Sequence, residues 1–216
     1  MSDSARPLLI LGTGNFAAEV ADLVSDIGGW TVTGFVESLD RERSQARLED
    51  LPIFWVDDIA PWHDTHWAMG ALGTTRRDHF IRQVDSLGFR FATLVHPTAR
   101  VSKKSTLGAG TLVSAAAVIA AHASLAQHVL VNRGVLVGHH TRIDDYVTVG
   151  PGANIAGGCY VAEGVYIGMG ALLLDHVNVG AHAVVAAGAV VTKDVAEHVM
   201  VAGVPAKVVK ENIAGL

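Results

Sequence analysis

Residues 125–161 read LAQHVL-VNRGVL-VGHHTR-IDDYVT-VGPGAN-IAGGCY-V, with an aliphatic residue at every sixth position. The same period extends from residue 101 to residue 191, and each of its sixteen positions is Val, Ile or Leu. These residues are Val101, Leu107, Val113, Ile119, Leu125, Val131, Val137, Ile143, Val149, Ile155, Val161, Ile167, Leu173, Val179, Val185 and Val191. An average composition does not produce such a run by chance, so the period reflects the fold of this half of the chain.

A period of six matches neither the 3.6-residue repeat of a helix nor the alternation of a simple strand. It is typical of a β-solenoid, in which short strands form flat faces and small residues allow tight corners. Three six-residue segments close one triangular coil, so residues 18 apart lie on neighbouring coils about 4.8 Å from each other. We therefore expect a parallel β-helix over residues 98–204, whose hand the pattern does not fix.

The period ends after Val191, because Glu197 occupies the next inward position. The segment VAGVPAK at 201–207 follows. We expect Pro205 to begin a short polar helix, so that residues 205–216 cap the last coil and cover its open edge. Capping does not explain Lys193 and Lys207, which are candidates for contacts with phosphate groups.

The first hundred residues have a different pattern, typical of an α/β domain over residues 1–97. The apolar run Leu8–Leu11 predicts a buried strand. It is followed by GTGNFA at 12–17, of the form G-x-G-x-x-A, and by a helical pattern. Residues 31–36 and 67–72 predict two further strands, and a second helix is expected to end near Leu87. This order predicts a small open sheet with helices packed against it.

Ligands bind open α/β sheets beyond the carboxyl ends of the strands. Here those ends are residues 12–16, 37–38 and 73–75. Three interpretations remain open for the glycine-rich turn: nucleotide or sugar-nucleotide binding, close packing of strand against helix, and NAD binding. The unit is too short for a complete dinucleotide-binding fold.

The amino-acid composition excludes several classes of protein. The 216 residues are 50% hydrophobic and carry a net charge of -5, so neither disorder nor binding to nucleic acid or an anionic membrane is expected. The single cysteine, Cys159, lies at an inward position and excludes a disulfide framework. We find no long apolar run and no leader pattern near the N-terminus, so we expect a cytoplasmic protein.

Histidines stand out in the charge-poor repeat. His139 lies two residues after an inward Val137, so its side chain is expected to point outward near a corner, with Gly157 one coil further on. An imidazole is well suited to accept a proton near neutral pH. The N–H of Gly157, with no side chain in the way, is a candidate donor to an oxyanion.

Three interpretations of this histidine cluster compete. His140 is expected to stack on His122, with His176 on the same face and Asp175 two coils beyond His139. The histidines are either solvated or interface residues, or metal ligands as in solenoid carbonic anhydrases, or they include a general base. We interpret His128 and His182, on another face, as surface residues.

The repeat and the closing GVPAK resemble left-handed β-helix acyltransferases that use acetyl-CoA. The motifs GTGNFAAEV, FVES and ALGTT narrow the resemblance to bacterial sugar-nucleotide 4-amino N-acetyltransferases, a family that includes relatives acting as sialic-acid O-acetyltransferases. The resemblance covers nearly the whole chain. It implies a Rossmann-like small α/β N-terminal domain, a left-handed parallel β-helix and a homotrimer with active sites between subunits.

The resemblance also assigns roles to individual residues. His139 matches the family's catalytic base, and Asn132 matches a polar residue near the acceptor. The residues matched to acetyl-CoA contacts are Thr148, Gly168, Met169 and Ala187, to which we add Lys193 and Lys207 for the phosphates. The residues matched to sugar-nucleotide contacts are Gly14, Asn15, Phe16, Glu37, Ser38 and Gly73, and His140 is placed with them. No metal is expected.

This sequence departs from the family pattern at two positions. Many members follow the base with Glu, whereas His140 stands here. Members that bind uridine tend to carry paired Asp where this chain has Glu37-Ser38, and one carboxylate can accept both N1–H and N2–H of guanine. We therefore expect a GDP-linked sugar, and the closest activity is N-acetylation of GDP-perosamine for surface polysaccharide. Alternatives are a UDP-4-amino sugar, O-acetylation of a sialic acid, a zinc enzyme and a trimer that only binds.

Overall fold

The computed structural model describes residues 5–72 and 77–216. The chain folds into two compact units, residues 1–94 and 95–216. Among the described residues, none of the helices combines the length and the hydropathy that crossing a membrane requires. Each unit has its own hydrophobic core.

An open sheet forms the N-terminal unit. Within residues 5–72 and 77–94, its strands are β1 (Arg6–Leu11), β2 (Trp30–Glu37), β3 (Arg47–Leu48), β4 (Leu51–Trp55), β5 (Trp67–Gly70) and β6 (Arg90–Phe91). Helix α1 (Asn15–Asp26) follows β1, α2 (Arg77–Ser86) follows β5, and 3-10 helices span Arg41–Gln45 and Val56–Trp62. The strand order is β3-β4-β2-β1-β5-β6, with β3 and β4 antiparallel and the other pairs parallel.

The sequence pattern located the central strands but not the edges of this sheet. Strands β1, β2 and β5 correspond to the predicted ones, and residues 8–11 are completely buried. The pattern missed β3, β4 and β6. Strand β4 contains Pro52 and lies next to β2 at Gly34, where an added Cβ would come within 2.5 Å of the Phe54 ring. Gly34 is therefore required by the close packing of β4, a reason that local propensity does not reveal.

The second unit is a triangular solenoid with three faces of parallel strands. Face A contains β7 (Leu94–Val95), at the unit boundary, then β10 (Leu112–Val113), β13 (Leu130–Val131), β16 (Thr148–Val149), β19 (Tyr166–Ile167), β22 (Val184–Val185) and β24 (Met200–Ala202). Face B contains β8 (Arg100–Val101), β11 (Val118–Ile119), β14 (Leu136–Val137), β17 (Asn154–Ile155), β20 (Leu172–Leu173) and β23 (Val190–Val191). Face C contains β9 (Thr106–Leu107), β12 (Ser124–Leu125), β15 (Arg142–Ile143), β18 (Tyr160–Val161) and β21 (Asn178–Val179). We name each corner by the two faces that it joins.

The strand register confirms the predicted repeat. Ile119 pairs with Val137 and Val137 with Ile155, so each aliphatic residue of the series lies on the one a full coil away. Cys159 is buried, its thiol donates to the carbonyl of Leu174 at 3.1 Å, and burial raises its pKa. It is a core residue, as expected. The register changes only at the end, where Val195 bridges Val179, two residues short of the period.

From residue 110 to residue 188, each corner passes through a residue with positive φ, a feature the sequence pattern had not indicated. From residue 110 to residue 188 the series is Gly110, Ala116, His122, His128, Gly134, His140, Tyr146, Gly152, Gly158, Gly164, Gly170, His176, His182 and Gly188. Histidine is several-fold enriched in this left-handed region compared with other side-chain-bearing residues. The concentration of histidines in the repeat therefore has a structural cause as well as any chemical one.

The aromatic rings at these corners lie over the preceding coil. An added Cβ on Gly158 would come within 2.5 Å of His176, and one on Gly164 within 2.5 Å of His182. Where the preceding corner residue is itself aromatic, the rings stack, as for His128 and Tyr146 at 5.3 Å. The corner residue of one coil is thus constrained by the residue on the next.

The C-terminal segment forms a strand, so the prediction of a helix from Pro205 was wrong. Strand β25 (Lys207–Lys210) runs antiparallel to β24, with Lys207 opposite Ala202. Its residues KVVK combine β-branched side chains with charges, which suits an exposed edge strand. The open edge of face A is covered by a paired strand whose own outer edge carries lysines.

Gly164 and Gly152 offer a matched test of the corner packing, because both have φ of +66° and only Gly164 is covered by a ring. We expect Gly152→Ala to cost only the strain of the left-handed backbone, about 1 kcal/mol. Gly164→Ala should cost a further amount, about 0.5–1.5 kcal/mol, because it displaces His182 from its stack on His198. Chemical denaturation followed by circular dichroism at fixed protein concentration measures both.

The control is the same Gly164→Ala change in a His182→Gly background. There the additional loss should disappear, because no ring covers position 164. An equal effect of Gly164→Ala in both backgrounds would contradict this account.

Candidate active site

A cavity of about 390 Å³ lies at the carboxyl ends of β1, β2 and β5 in the N-terminal unit. It is lined by Gly12, Thr13, Gly14, Phe16, Glu37, Leu39, Asp40, Arg43, Ala71 and Leu72. Of the residues matched to sugar-nucleotide contacts, Gly14, Phe16 and Glu37 line it. Asn15 and Ser38 are adjacent in sequence but do not line it, and Gly73 falls outside the described residues.

The two glycines of the turn have different roles. An added Cβ on Gly12 would come within 2.8 Å of the carbonyl oxygen of Ala71, so Gly12 allows the turn to pack closely against the end of β5. Gly14 has no atom within 4 Å of its added Cβ and is the N-cap of α1 without a side-chain hydrogen bond. The N-terminus of α1 also has no acidic residue in its first turn, so it can receive an anion such as phosphate.

Glu37 does not present a free carboxylate to the cavity. The residue is only 7% exposed. Its Oε1 accepts hydrogen bonds from the backbone N–H groups of Ser38 and Leu39, each at 2.9 Å, and its Oε2 accepts one from the Thr13 hydroxyl at 2.5 Å. Burial raises the pKa of Glu37, but these bonds and one from the Asp40 N–H outweigh it, so its pKa lies below the ordinary value.

This geometry argues against the expectation that Glu37 reads guanine through a bidentate pair. Oε1 is engaged by the turn that follows β2, and Oε2 is engaged by Thr13 in the turn that follows β1, so the carboxylate has little capacity left for a base. Glu37 holds the rim of the cavity in place. The sequence suggested a carboxylate at this edge, but the competition from its own backbone was not visible in the pattern.

Three further residues line the cavity: Asp40 and Arg43, which the sequence pattern did not single out, and Thr13, to which it gave no individual role. The Arg43 guanidinium lies 3.3 Å from the Thr13 hydroxyl and 3.8 Å from Glu37 Oε2, and it brings a positive charge to the cavity. Asp40 caps the 3-10 helix that carries Arg43, and its other carboxylate oxygen lies 3.8 Å from Arg43 Nε. In sequence, Asp40 and Arg43 belong to a charged stretch that resembles an ordinary solvated loop, and Thr13 lies in the glycine-rich turn at 12–17.

The B/C corner of the solenoid brings the histidines together. His139 Nδ1 lies 3.1 Å from His140 Nδ1, and the two rings meet edge to face at a centroid distance of 5.2 Å. The ring of His140 stacks on that of His122 at 4.8 Å, as expected. Among the described residues, Nε2 of His139 has no hydrogen-bond partner. His139 and His140 are both exposed.

Gly157 lies beside His139 but its N–H is not free, so its expected role as oxyanion donor is not supported. The N–H donates to Asp175 Oδ1 at 3.1 Å. An added Cβ on Gly157 would come within 2.6 Å of His139 Cε1 and 2.8 Å of Nε2, so the imidazole occupies the space that a side chain would fill. Gly157 makes room for His139.

The other residues matched to catalysis and to acetyl-CoA lie elsewhere. Asn132, Gly168, Met169 and Ala187 lie at the A/B corner, where Met169 is 60% exposed. The side chain of Asn132 donates to the carbonyl of Val149 at 3.0 Å. Thr148 lies on face A and is buried, Lys207 lies on β25, and Lys193 follows β23. The chain does not bring these residues to the corner that holds His139.

Face B separates the two corners. Each side of a coil is six residues long, so the corners are up to about 20 Å apart. The outward side chains of this face include Leu136, 42% exposed, and Leu172, 40% exposed. In the part of the chain that the structure describes, no group of three or more His, Cys, Asp or Glu side chains is arranged to hold a metal ion.

No protein-family model and no curated protein matches the chain. Solved structures do match. A histidine-to-asparagine variant of perosamine N-acetyltransferase from Caulobacter crescentus, in complex with CoA and GDP-perosamine, is 29% identical with a TM-score of 0.87, covering 95% of this chain and 97% of that one. The acetyltransferase domain of PglB from Neisseria gonorrhoeae, with acetyl coenzyme A, is 30% identical with a TM-score of 0.87, covering 95% and 100%. WeeI from Acinetobacter baumannii, 23% identical with a TM-score of 0.84 and coverage of 95% and 100%, shares the fold.

The bonds of Glu37 predict a pH-dependent contribution to stability. Because its folded-state pKa is lowered, the carboxylate stabilises the folded protein above the ordinary carboxyl pKa range, and this contribution is lost as the pH falls through the folded-state pKa. Glu37→Gln keeps the shape and removes the charge. We expect it to lower the free energy of unfolding by about 1–2 kcal/mol at pH 7, and by progressively less below about pH 4.

Tryptophan fluorescence in a urea titration measures this change selectively, because all four tryptophans lie in the N-terminal unit. Asp64→Asn, at an exposed carboxylate outside the cavity, is the control. A Glu37→Gln effect that is the same at pH 7 and well below pH 4 would show that the charge of Glu37 is not what stabilises the turn.

Proposed function

Because the chain belongs to the hexapeptide-repeat family of sugar-nucleotide amino N-acetyltransferases, we propose that it transfers the acetyl group of acetyl-CoA to the 4-amino group of a nucleotide-linked 4-amino-4,6-dideoxyhexose. The acceptor that we propose is GDP-perosamine, bound in the complex of the Caulobacter enzyme. We further propose that the solenoid is left-handed and the N-terminal unit Rossmann-like, as the family resemblance implies.

The exposed imidazole of His139 is the observation that carries this proposal. One of its ring nitrogens is engaged by His140, and the other has no partner among the described residues. Gly157 leaves room for the ring without a competing side chain. A neutral imidazole held in this way can accept a proton from an amine that attacks a nearby thioester.

The reaction then needs no acyl-enzyme. The neutral amine nitrogen of the sugar attacks the thioester carbonyl, and a C–N bond forms as the carbonyl oxygen becomes an oxyanion. The proton lost from the nitrogen passes to His139 Nε2. The C–S bond breaks as the tetrahedral intermediate collapses, and the same proton can pass to the departing thiolate to give CoA and the amide.

The cavity of the N-terminal unit is the proposed nucleotide site. The open N-terminus of α1 suits a phosphate of the diphosphate. The cavity, with a volume of about 390 Å³, suits part of a nucleotide. Hydrogen bonds engage the Glu37 carboxylate, and Asp40 Oδ1 accepts from the Glu42 N–H, so base selection is assigned to Arg43. A guanidinium pairs with O6 and N7 of guanine.

A UDP-linked 4-amino sugar is the second candidate. The bonds of Glu37 remove the argument that favoured guanine over uracil, and the similarity to the GDP-perosamine enzyme is at 29% identity. The Arg43 guanidinium could also donate to the carbonyl oxygens of uracil. An assay with both acceptors decides between the GDP-linked and the UDP-linked sugar.

We also propose a homotrimer with active sites between subunits. His139 lies at the B/C corner, whereas Asn132, Gly168, Met169 and Ala187, which resemble the family's acceptor and acetyl-CoA contacts, lie at the A/B corner. Within one chain face B separates the two corners, whereas in the proposed trimer the B/C corner of one chain meets the A/B corner of its neighbour. The exposed leucines of face B, Leu136 and Leu172, suit a surface buried between chains.

Thiol release from acetyl-CoA tests the reaction, with GDP-perosamine and a UDP-4-amino sugar as parallel acceptors. We expect release with the GDP sugar and a rate at least ten-fold lower with the UDP sugar. His139→Asn should lower kcat by roughly 10²- to 10⁴-fold while KM for both substrates stays near the wild-type value.

The outcomes separate the candidates. Thiol release with the UDP sugar alone would support acetyl transfer to a sugar amine but would replace GDP-perosamine as the proposed acceptor. If neither amino sugar causes thiol release but a free sialic acid does, the proposed N-acetylation would be replaced by O-acetylation. Unchanged turnover in His139→Asn would end the assignment of His139 as the base.

Mixed trimers test the shared site. A chain carrying His139→Asn and a chain carrying Ala187→Glu are each expected to be inactive. When two differently tagged chains are purified together by both tags, every trimer contains both kinds, and one of its three interfaces joins an intact base to an intact A/B corner. We expect about one third of the wild-type rate.

The matched control joins two differently tagged His139→Asn chains, which should remain inactive. An inactive mixture of the two variants, with trimers present by light scattering, would mean that each chain builds its site alone.

A further inference from the structure

Two imidazoles meet at the B/C corner through nitrogens of the same kind. His139 Nδ1 and His140 Nδ1 are 3.1 Å apart, a hydrogen-bond distance, and the ring planes are inclined by 82°. A bond between two ring nitrogens needs one N–H and one lone pair. Its direction therefore fixes the tautomer of both rings, as long as each is neutral.

The two directions have opposite consequences for His139. If His140 donates, the proton of His139 must lie on Nε2, and that nitrogen cannot accept another. If His139 donates through Nδ1, Nε2 carries the lone pair and faces no other partner among the described residues. When Nε2 then takes up a proton, the Nδ1–H bond to a neutral acceptor becomes charge-assisted and strengthens.

The ring of His140 is held where it can act as this acceptor. Its backbone has φ of +59°, fixed by the corner, and its ring stacks on His122 at 4.8 Å with planes 25° apart. Within two coils, the other titratable side chains of the corner columns are Lys103, Lys104, His122, Asp175 and His176. Asp175 Oδ1 receives the N–H of Gly157, and in the described part of the chain no hydrogen bond joins Asp175 to either imidazole.

We propose that His140 is a positioning residue, which accepts a hydrogen bond from Nδ1–H of His139 and thereby keeps Nε2 of His139 unprotonated and ready for the amine proton. This inference rests on the proposed function for the use of Nε2, but the tautomer itself is a property of the free protein. It assigns to a neutral imidazole the orienting role that a carboxylate plays beside many catalytic histidines.

Three substitutions at position 140 distinguish the role of the hydrogen-bond acceptor from the role of the aromatic ring. His140→Phe keeps an aromatic ring and removes the nitrogen, and Tyr146, at φ of +59°, shows that an aromatic side chain is tolerated at such a corner. His140→Asn removes the ring, suits a left-handed backbone and places an amide oxygen near the position of Nδ1. His140→Asp offers a charged acceptor at the same place.

We expect His140→Phe to lower kcat by roughly 10- to 100-fold with little change in KM for either substrate. His140→Asn and His140→Asp should stay within a few-fold of the wild type, because each restores an acceptor. Equal losses in the Phe and Asn variants would show that the ring, not its nitrogen, matters and would overturn the proposal. A loss confined to KM would do the same and would place His140 in substrate binding.

The tautomer is measured directly on the wild-type protein without ligands, by two-bond ¹H–¹⁵N correlation spectra of ¹⁵N-histidine-labelled protein. The signals of His139 are assigned by their disappearance in His139→Asn. The expected pattern is a protonated Nδ1 and an unprotonated Nε2 in the wild type and in His140→Asn, and a shift of population to the Nε2–H form in His140→Phe.

An Nε2–H tautomer of His139 in the wild-type spectrum would overturn the proposal even if the enzyme is active. If His139 shows the expected tautomer but the protein is inactive with every acceptor, the hydrogen bond between the two rings would be supported and the proposed function would be refuted. The two failures are therefore distinguishable.

Discussion

The solenoid depends on one backbone constraint, which is that from residue 110 to residue 188 every corner turns through a residue with positive φ while the strands on either side keep a fixed register. The parallel hydrogen bonds between coils hold residues such as Val137 and Ile155 in line. They leave no freedom to shift a corner along the chain. Only residues that accept a left-handed backbone can occupy that place, and in this chain glycine and histidine fill most of these positions.

This constraint also shapes the chemistry. His140 occupies a corner position, so its ring is directed over the preceding coil and onto His122. His139 precedes the corner and points the other way, over Gly157 of the following coil. Two consecutive histidines therefore diverge along the axis of the solenoid yet keep their Nδ1 atoms within hydrogen-bond distance. The geometry of the pair comes from the turn, before any substrate is present.

The sequence predicted the parts of the fold that follow from periodicity, and it was less informative where a side chain competes for a backbone group. The inward series, the core position of Cys159 and the stacking of His140 on His122 follow from counting residues. The strand at 207–210 was mistaken for a helix because proline and polar residues suit both a helix start and an exposed edge. The hydrogen bonds that Asp175 accepts from the N–H of Gly157 and that Glu37 accepts from its own turn depend on rotamers that no spacing encodes. Arg43 reaches the cavity through a 3-10 helix that the pattern had not revealed.

The glycines of the A/B corner lie at positions where a larger side chain could be accommodated. At Gly134, Gly152, Gly170 and Gly188 an added Cβ would meet no atom within 4 Å, although the backbone has the same left-handed conformation that carries His122 and His140 at the neighbouring corner. A codon change from glycine to histidine at these places would add an imidazole to the outside of a coil without altering the interior. A protein built in this way can gain or lose titratable groups one coil at a time, so its surface chemistry can evolve largely independently of its core.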